Sequence, residues 1–267
     1  GSASGQTKVE PQRIVIVYPC PMIVTDIKRE NVETLRRKLG LNGKKVLLTL
    51  GRVVERKGHD LVIRALPEIL KHVPEAVYVV AGDGPDLERL QKMVATPLAP
   101  TLSRRERGIL HGKVSKDSSL SLGEGQGEGE GLQSYIRFVG KISNEERPLY
   151  YALCDLFVMP SRQIGPDVEG FGLSFLEAAQ LGKPSVGGQS GGIPEAILHG
   201  KTGVLVDPHD ASAFARAVVQ LLHDPEFCEN LGQNAKTRVL QEFTWTKQID
   251  KLDNIFKKHL AWKSSRS

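Results

Sequence analysis

Two basic residues, Arg52 and Lys57, lie in a loop that is bounded by Gly51 and Gly58. The loop follows the apolar run Val46–Leu50 and precedes a helical pattern, so both side chains can face one crevice beside a helix N-terminus. Two cations together with backbone N–H donors suit a diphosphate. From these residues alone, a solvated pair of surface charges is the alternative.

A second group of polar residues surrounds a Gly-Phe-Gly sequence. Glu169 lies on a loop, and Glu177 lies about one turn into the helix predicted to follow. Gly170 and Gly172 allow the backbone to approach a ligand closely. Carboxylates accept paired hydrogen bonds from vicinal hydroxyls, the groups that a nucleotide sugar offers. Taken alone, the two residues could equally well have no binding role, with Glu169 as a loop charge and Glu177 as a solvated helix residue.

A third glycine turn, Gly82-Asp83-Gly84-Pro85, also follows an apolar run. A Gly-x-Gly turn after a strand is typical of dinucleotide sites, but Leu87 occupies the position of the third glycine. The turn therefore indicates phosphate binding only weakly by itself.

The elements that must position these loops alternate along the chain. Short apolar runs closed by Gly or Pro predict buried parallel strands. The predicted strands are Val46–Gly51, Val77–Gly82, Ile136–Gly140, Asp155–Pro160, Pro184–Gly188 and Gly203–Pro208. The helical patterns between and after them are His59–Val73, Pro85–Ala95, Asn144–Leu153, Gly172–Leu181, Ile193–Leu198, Asp210–His223, Glu226–Phe243 and Thr246–Leu260. This alternation predicts an α/β fold with a doubly wound, Rossmann-like parallel sheet of about six strands and helices on both faces. In such sheets ligands bind at the carboxyl ends of the strands, where the glycine loops lie.

Two segments depart from this alternation. Residues 8–44 contain one predicted strand, Ile14–Tyr18, and a charged helix, Arg29–Leu39. Residues 96–134 combine prolines, a basic run and alternating Gly and Glu, with few large apolar side chains, and are predicted to be a disordered insert. The alternative for the insert is a loop that docks a partner.

Composition excludes several classes. The 267 residues are 40% hydrophobic and 25% charged, as in ordinary globular proteins. The net charge is +5, and residues 246–267 carry +4 of it, so no broad basic surface for nucleic acid is expected. Three separated cysteines and histidines without ligand spacing argue against disulfides and metal, and favour a reducing cytoplasm.

Taken together, the motifs resemble a known family. They are Gly51-Arg52 with Lys57-Gly58, Gly82-Asp83-Gly84-Pro85, Phe138-Val139-Gly140-Lys141, Glu169 to Glu177, and Ser190-Gly191-Gly192-Ile193-Pro194-Glu195. In order and spacing the chain resembles the carboxyl-terminal, donor-binding domain of family-4 (group 1) retaining glycosyltransferases of the GT-B fold. The resemblance covers roughly residues 8–260 apart from the insert.

The resemblance implies roles for individual residues. Arg52 and Lys57 would bind the donor diphosphate and stabilise the leaving group, and Glu169 would bind hydroxyls of the transferred sugar. The implied donor-binding residues are Gly51, Gly82, Lys141, Ile142, Gly170, Phe171, Gly172, Leu173 and Glu177. Of these, Glu177 would hold the ribose hydroxyls, and Lys141 with Ile142 would border the base. Such enzymes need no metal and no cofactor beyond the nucleotide-sugar donor.

The resemblance also implies a domain organisation. Residues 1–7 are expected to be an expression remnant or disordered, 8–44 an interdomain linker, and 45–245 the nucleotide-sugar-binding domain. Residues 246–260 would be a helix that crosses to an amino-terminal acceptor domain, and 261–267 a tail. The linker has Pro19-Cys20-Pro21 where the family commonly has Asn-Gly. An acceptor domain has no counterpart here, so the chain is expected to be either a truncated form or a natural half-enzyme that transfers sugar poorly by itself.

The implied reaction is retaining transfer of a hexose, of mannose, glucose or N-acetylhexosamine type, to a glycan or glycolipid hydroxyl. The motifs favour GDP-mannose slightly, with UDP-sugars close behind, and lipopolysaccharide biosynthesis is a typical setting. The basic tail suggests peripheral contact with an anionic membrane surface at its cytoplasmic face, or simply a solvated helix end. The alternatives are a regulatory sugar-nucleotide module without turnover, or another GT-B enzyme such as an epimerase.

Overall fold

The computed structural model describes residues 15–21, 27–95 and 131–264, with side chains described as far as residue 258. These residues form a six-stranded, entirely parallel sheet in the order β3-β2-β1-β4-β5-β6. The strands are β1 Lys45–Leu50, β2 Ala76–Ala81, β3 Ile136–Gly140, β4 Leu156–Met159, β5 Ser185–Gly188 and β6 Val204–Val206. This is the order of a doubly wound sheet, in which the direction of strand addition reverses between β1 and β4.

Helices cover both faces of this sheet. They are α1 Arg29–Lys38, α2 His59–His72, α3 Leu87–Ala95, α4 Arg147–Leu153, α5 Leu173–Gln180, α6 Ile193–Ala196, α7 Ala211–His223, α8 Pro225–Glu242 and α9 Trp245–Ser264. Buried side chains of α2, α3 and α7 form a core on one face, and those of α4, α5 and α6 form a core on the other. The α8 helix contributes to both cores through Leu231 and Val239.

The strand sequences explain why two cores form. Successive side chains of a strand point to opposite faces, and β1 places Leu47 in one core and Val46 and Leu48 in the other. All three side chains are fully buried. A strand covered on both faces needs apolar residues at every position, which is why these runs are continuous rather than alternating. The predicted α/β fold class is confirmed.

Two sequence predictions need correction. Residues 15–18 are not a strand, because no described strand lies beside them to pair with the exposed run Val15–Val17. The predicted insert also ends earlier than residue 134. Leu132–Tyr135 form a 3₁₀ turn that contacts α3, and Leu132 is buried in the core that also contains Leu90 and Val94, which anchors this turn. Residues 1–14 and 96–130 lie outside the described part of the chain.

The last helix leaves an apolar stripe uncovered. Trp245, Ile249, Leu252 and Phe256 are all exposed, whereas Gln248 is buried. Gln248 accepts a hydrogen bond from the backbone N–H of Tyr18 through Oε1 at 3.0 Å. The described residues include no helix that is both long and apolar enough to span a bilayer.

Candidate functional site

Two adjacent loops form the centre of the candidate site. Because β1 and β4 are neighbours in the sheet, the loops that leave their carboxyl ends lie side by side. The first loop ends in a 3₁₀ turn, Glu55–Lys57, and the second contains Glu169. The Lys57 Nζ lies 2.9 Å from the Glu169 Oε2. The structure therefore brings together two of the predicted catalytic residues.

Arg56, which the sequence analysis did not predict as a site residue, also binds Glu169. Arg56 donates through Nη1 to the Glu169 Oε2 at 2.5 Å, and its Nε lies 2.9 Å from the Asp167 Oδ1. Glu169 is thus a carboxylate held by two cations from one turn. Only 13% of its side chain is exposed, and 11% of the Lys57 side chain is.

The two cations keep Glu169 ionised. Burial by itself raises the pKa of the Glu169 carboxyl, but the charges and hydrogen bonds of Lys57 and Arg56 outweigh burial. The pKa consequently lies below its ordinary value. Lys57 also donates to the Met159 Sδ at 3.2 Å, so its ammonium is held on two sides.

Arg52, the other predicted diphosphate ligand, is positioned differently. It is exposed directly after β1 and forms no ion pair with any described residue. The structure therefore does not bring Arg52 into contact with Glu169. A free guanidinium at the carboxyl edge of the sheet remains available to an anion.

A buried ion pair fixes the two central loops to each other. Arg162, on the loop after β4, donates from Nη1 to the Asp60 Oδ1 at 2.8 Å and from Nη2 to Oδ2 at 3.2 Å. The Arg162 backbone N–H also donates to the Arg56 carbonyl at 2.8 Å. Burial raises the pKa of the Asp60 carboxyl, but Arg162 and Arg64 lower it by a larger amount. The pKa of Asp60 therefore lies below its ordinary value. These contacts set the position of the turn that carries Arg56 and Lys57.

The predicted glycines form the floor next to this centre. The Gly51 N–H donates to the Ala81 carbonyl at 2.9 Å, and the Gly82 N–H donates to the Gly140 carbonyl at 2.8 Å. Gly82 has φ of 145°, and a Cβ there would lie 1.8 Å from the Gly51 carbonyl oxygen. Only glycine allows the two turns to meet this closely.

The residues predicted to border a base follow on the same side. Lys141 and Ile142 come directly after Gly140 at the end of β3. Lys141 is exposed, and Ile142 is half-buried against the core that contains α4 and α5. Ile142 therefore has a fixed position, while the Lys141 side chain extends into solvent.

The α5 helix presents its N-terminus to this edge. Gly172, in a left-handed conformation with φ of 84°, starts the helix, and no side chain caps it. Uncapped N–H groups at a helix start attract anions. The preceding loop is held by a hydrogen bond from the Gly192 N–H to the Glu169 carbonyl at 2.9 Å. Gly170 is exposed in that loop, and its carbonyl oxygen lies close to Gly192.

The apolar residues of this motif point elsewhere. The Phe171 ring stacks on Tyr18 at a centroid distance of 5.1 Å and packs against Phe243 at 5.6 Å. The Leu173 side chain packs against the core below. Both side chains are half-buried in these contacts.

Glu177 forms its own cluster on α5. Its Oε2 accepts hydrogen bonds from the Arg147 Nη2 at 2.7 Å and from the Tyr151 hydroxyl at 2.5 Å. Burial and the neighbouring Glu177 charge raise the pKa of Tyr151 well above its ordinary value, so Tyr151 remains a donor. The sequence prediction missed both partners of Glu177.

A buried polar chain supports the start of α2. The Nδ1 of His59 lies 2.9 Å from the Tyr78 hydroxyl, which lies 2.9 Å from the Thr49 Oγ1. Burial lowers the pKa of His59 to about 4, so its ring is neutral near pH 7. Its Nε2 has no hydrogen-bond partner among the described residues. No set of three or more His, Cys, Asp or Glu side chains in the described ranges is placed to hold a metal ion.

The strand order and the ligand-facing loops define a Rossmann-like α/β domain. Residues 31–99 and 124–238 match the family model for glycosyl transferases group 1. The chain belongs to this family, as the motifs predicted.

A relative in Mycolicibacterium smegmatis is 36% identical over 213 residues, which cover 79% of this chain and 47% of the relative. It is named GDP-mannose-dependent alpha-(1-6)-phosphatidylinositol monomannoside mannosyltransferase. The chain spans about half the length of the curated relatives it matches.

Two solved structures share the fold. HepE from Anabaena, in complex with UDP, has a TM-score of 0.66 and 20% identity, over 87% of this chain and 54% of HepE. The C-terminal domain of LpcC, a glycosyl transferase group 1 family protein from Francisella tularensis, has a TM-score of 0.57 and 23% identity. That match covers 79% of this chain and 93% of the LpcC domain. At these identities the likeness shows the fold.

Proposed function

We propose that this chain holds the donor site of a retaining hexosyltransferase, which transfers a hexose from a nucleotide diphosphate sugar to a hydroxyl acceptor. The contact between Lys57 and Glu169 carries the proposal, because it puts a cation for phosphate and a carboxylate for sugar hydroxyls 2.9 Å apart. Membership of the glycosyl transferases group 1 family supports it.

The diphosphate would lie between the β1 loop and the start of α5. Lys57 supplies a buried ammonium, Arg52 an exposed guanidinium, and Gly172 and Leu173 begin a helix without a side-chain cap. As the bond between sugar and diphosphate breaks, negative charge develops on the leaving oxygen. Preorganised cations and amide donors stabilise that charge without reorganisation, which lowers the barrier.

The sugar and the ribose would be held by the two carboxylates. Glu169 accepts hydrogen bonds from hexose hydroxyls, and Glu177 from the ribose hydroxyls. Glu169 is already held by two cations, which makes it a weak nucleophile and suits it to positioning. Attack of the acceptor on the same face as the departing diphosphate is therefore the proposed path, with retention at the anomeric carbon.

GDP-mannose is the proposed donor, and the name of the Mycolicibacterium relative supports it. The UDP in the HepE complex keeps a UDP-sugar as the second choice. A lipid-linked hydroxyl is the proposed acceptor, since the relative's name includes phosphatidylinositol monomannoside. The base would lie against Ile142 and Lys141, above Gly82.

We further propose that an acceptor domain completes the enzyme and covers the exposed stripe of α9. Trp245, Ile249 and Phe256 are exposed on that helix, an arrangement typical of an interface. This assigns residues before β1 to a linker and α9 to the crossover, and it explains why this chain would transfer sugar poorly alone.

Calorimetric titration of the chain with GDP, GDP-mannose, UDP and UDP-glucose tests the proposal. One nucleotide pair should bind, with the same affinity in the presence of a chelator. Arg52→Ala should weaken both members of that pair, and the matched Arg29→Ala, on exposed α1, should weaken neither. Binding of no nucleotide, or equal effects of the two substitutions, would contradict the proposed donor site.

A further inference from the structure

Glu169 contacts two cationic side chains, although a carboxylate needs no cation to accept hydrogen bonds from a sugar. Both Lys57 and Arg56 bind the same oxygen, Oε2, at 2.9 and 2.5 Å. In the proposed function Lys57 serves the diphosphate, so its ammonium must be shared with or released from Glu169. A largely buried carboxylate that loses its cation is costly, because the charge would be desolvated without compensation.

Arg56 is built to keep that carboxylate in place. Its Nε lies 2.9 Å from the Asp167 Oδ1, so the planar guanidinium bridges two carboxylates of one loop. Its backbone is fixed by the hydrogen bond from the Arg162 N–H to the Arg56 carbonyl at 2.8 Å.

The loop that carries Asp167 is itself closed by two backbone hydrogen bonds. The Ile164 N–H donates to the Asp167 carbonyl at 2.9 Å, and the Asp167 N–H donates to the Ile164 carbonyl at 3.0 Å. The backbones of Arg56 and Asp167 are therefore both held by hydrogen bonds, while the Asp167 side chain is 62% exposed. The Arg56 side chain is 20% exposed and lies beside Glu169 rather than in open solvent.

We propose that Arg56 is a positioning residue that retains Glu169 by Oε2 when Lys57 turns to the diphosphate, leaving Oε1 to the hydroxyls of the donor sugar. This rests on the proposed function and deepens it. Arg56 acts on the sugar through Glu169 and makes no contact with phosphate. Its contribution is therefore larger for a donor that carries a sugar than for the nucleotide alone.

Comparison of a nucleotide with its sugar nucleotide isolates this effect. GDP has no hexose for Glu169 to bind, whereas GDP-mannose does. Arg56→Gln should weaken GDP-mannose about tenfold more than it weakens GDP, because both nucleotides draw Lys57 away from Glu169 but only GDP-mannose also needs Glu169 to bind its hexose. Glu169→Gln should show the same selective loss, and the double variant should be no weaker than either single one.

Two further variants keep the test decisive. Arg56→Lys retains a cation and should fold like the unmodified chain, but a single ammonium cannot form the two-armed bridge, so its loss should be intermediate. Arg64→Gln is the matched control. It removes an arginine that pairs with Asp60, which keeps Arg162, and it should change neither affinity.

Each other outcome contradicts the inference in its own way. Equal losses for GDP and GDP-mannose would show that Arg56 binds phosphate directly. Unchanged affinity for both would show that its contact with Glu169 does not matter. If the chain binds UDP and UDP-glucose instead, the same comparison is made with those two ligands. If the unmodified chain binds neither pair, the proposed function itself fails, and the inference fails with it.

Discussion

Replacement of Arg162 by methionine tests the buried ion pair that links the two central loops. Arg162 and Asp60 have side chains that are 8% and 5% exposed, and two hydrogen bonds of 2.8 and 3.2 Å join them. Arg162→Met preserves most of the apolar stem but removes both hydrogen bonds. Asp60 then keeps only Arg64, whose side chain is 48% exposed.

The expected cost follows from burial. Removal of one partner of a buried pair costs about 3–5 kcal/mol, because the other charge stays desolvated. The remaining contact with Arg64 at 2.8 Å places the expected value near the lower end, about 3 kcal/mol. For a domain of this size that loss corresponds to a fall in melting temperature of about 6–12 °C.

Urea unfolding at pH 7 measures this cost, and an unchanged m-value shows that the denatured state is the same. The double variant Arg162→Met/Asp60→Asn should recover part of the loss, because it no longer buries a charge. Arg29→Ala provides the control, since its pair with Glu33 is exposed and should contribute only about 0.3–0.5 kcal/mol.

The same pair predicts a dependence on pH. The pKa of Asp60 is lowered in the folded chain, so the stabilisation is present above its ordinary pKa and disappears as the pH falls below it. Arg162→Met should therefore lose less stability than the unmodified chain on acidification below about pH 4. A cost under about 1 kcal/mol at pH 7, or a double variant less stable than Arg162→Met, would refute this reasoning.

Three further outcomes are expected. Gly82→Ala should destabilise the chain by a few kcal/mol and reduce nucleotide binding in calorimetry, because its Cβ would lie 1.8 Å from the Gly51 carbonyl oxygen, whereas Gly131→Ala, with open space around it, should change neither. Glu177→Gln should weaken GDP and GDP-mannose by the same factor, about tenfold, since the ribose is common to both; unequal factors would argue against ribose binding. His59 should make stability fall by about 2 kcal/mol between pH 7 and pH 5, because its folded pKa is about 4 and the unfolded chain takes up the proton first. His59→Gln should remove that contribution in urea unfolding, and an unchanged pH dependence would contradict it.

The fold was predictable because its signals are local. A parallel strand covered on both faces is a continuous apolar run, and a helix such as α7 has a helical apolar pattern with Asp210 capping its start. The prediction was wrong at Ile14–Tyr18, where the run was apolar but lacked a neighbouring strand. Pairing is a property of the whole sheet, and one segment does not reveal it.

The geometry of the candidate site was predictable only in part, for a related reason. Glycines, cations and carboxylates directly after strands predicted a ligand-binding edge, and two of the predicted residues, Lys57 and Glu169, are in contact there. In the sequence, Arg56 and Arg162 cannot be distinguished from solvated arginines of a surface loop. Their roles depend on partners more than a hundred residues away, Glu169 and Asp60, and on side-chain directions that no local pattern encodes.

Leu132 is buried in the core that also contains Leu90 and Val94. The 3₁₀ turn that contains Leu132 lies where β3 begins. The candidate site lies where β3 ends. The five residues of this strand separate the two places by about 16 Å. The exposed residues of this turn, Gln133 and Ser134, are therefore attachment points for a fluorescent label at the opposite end of β3 from the candidate site.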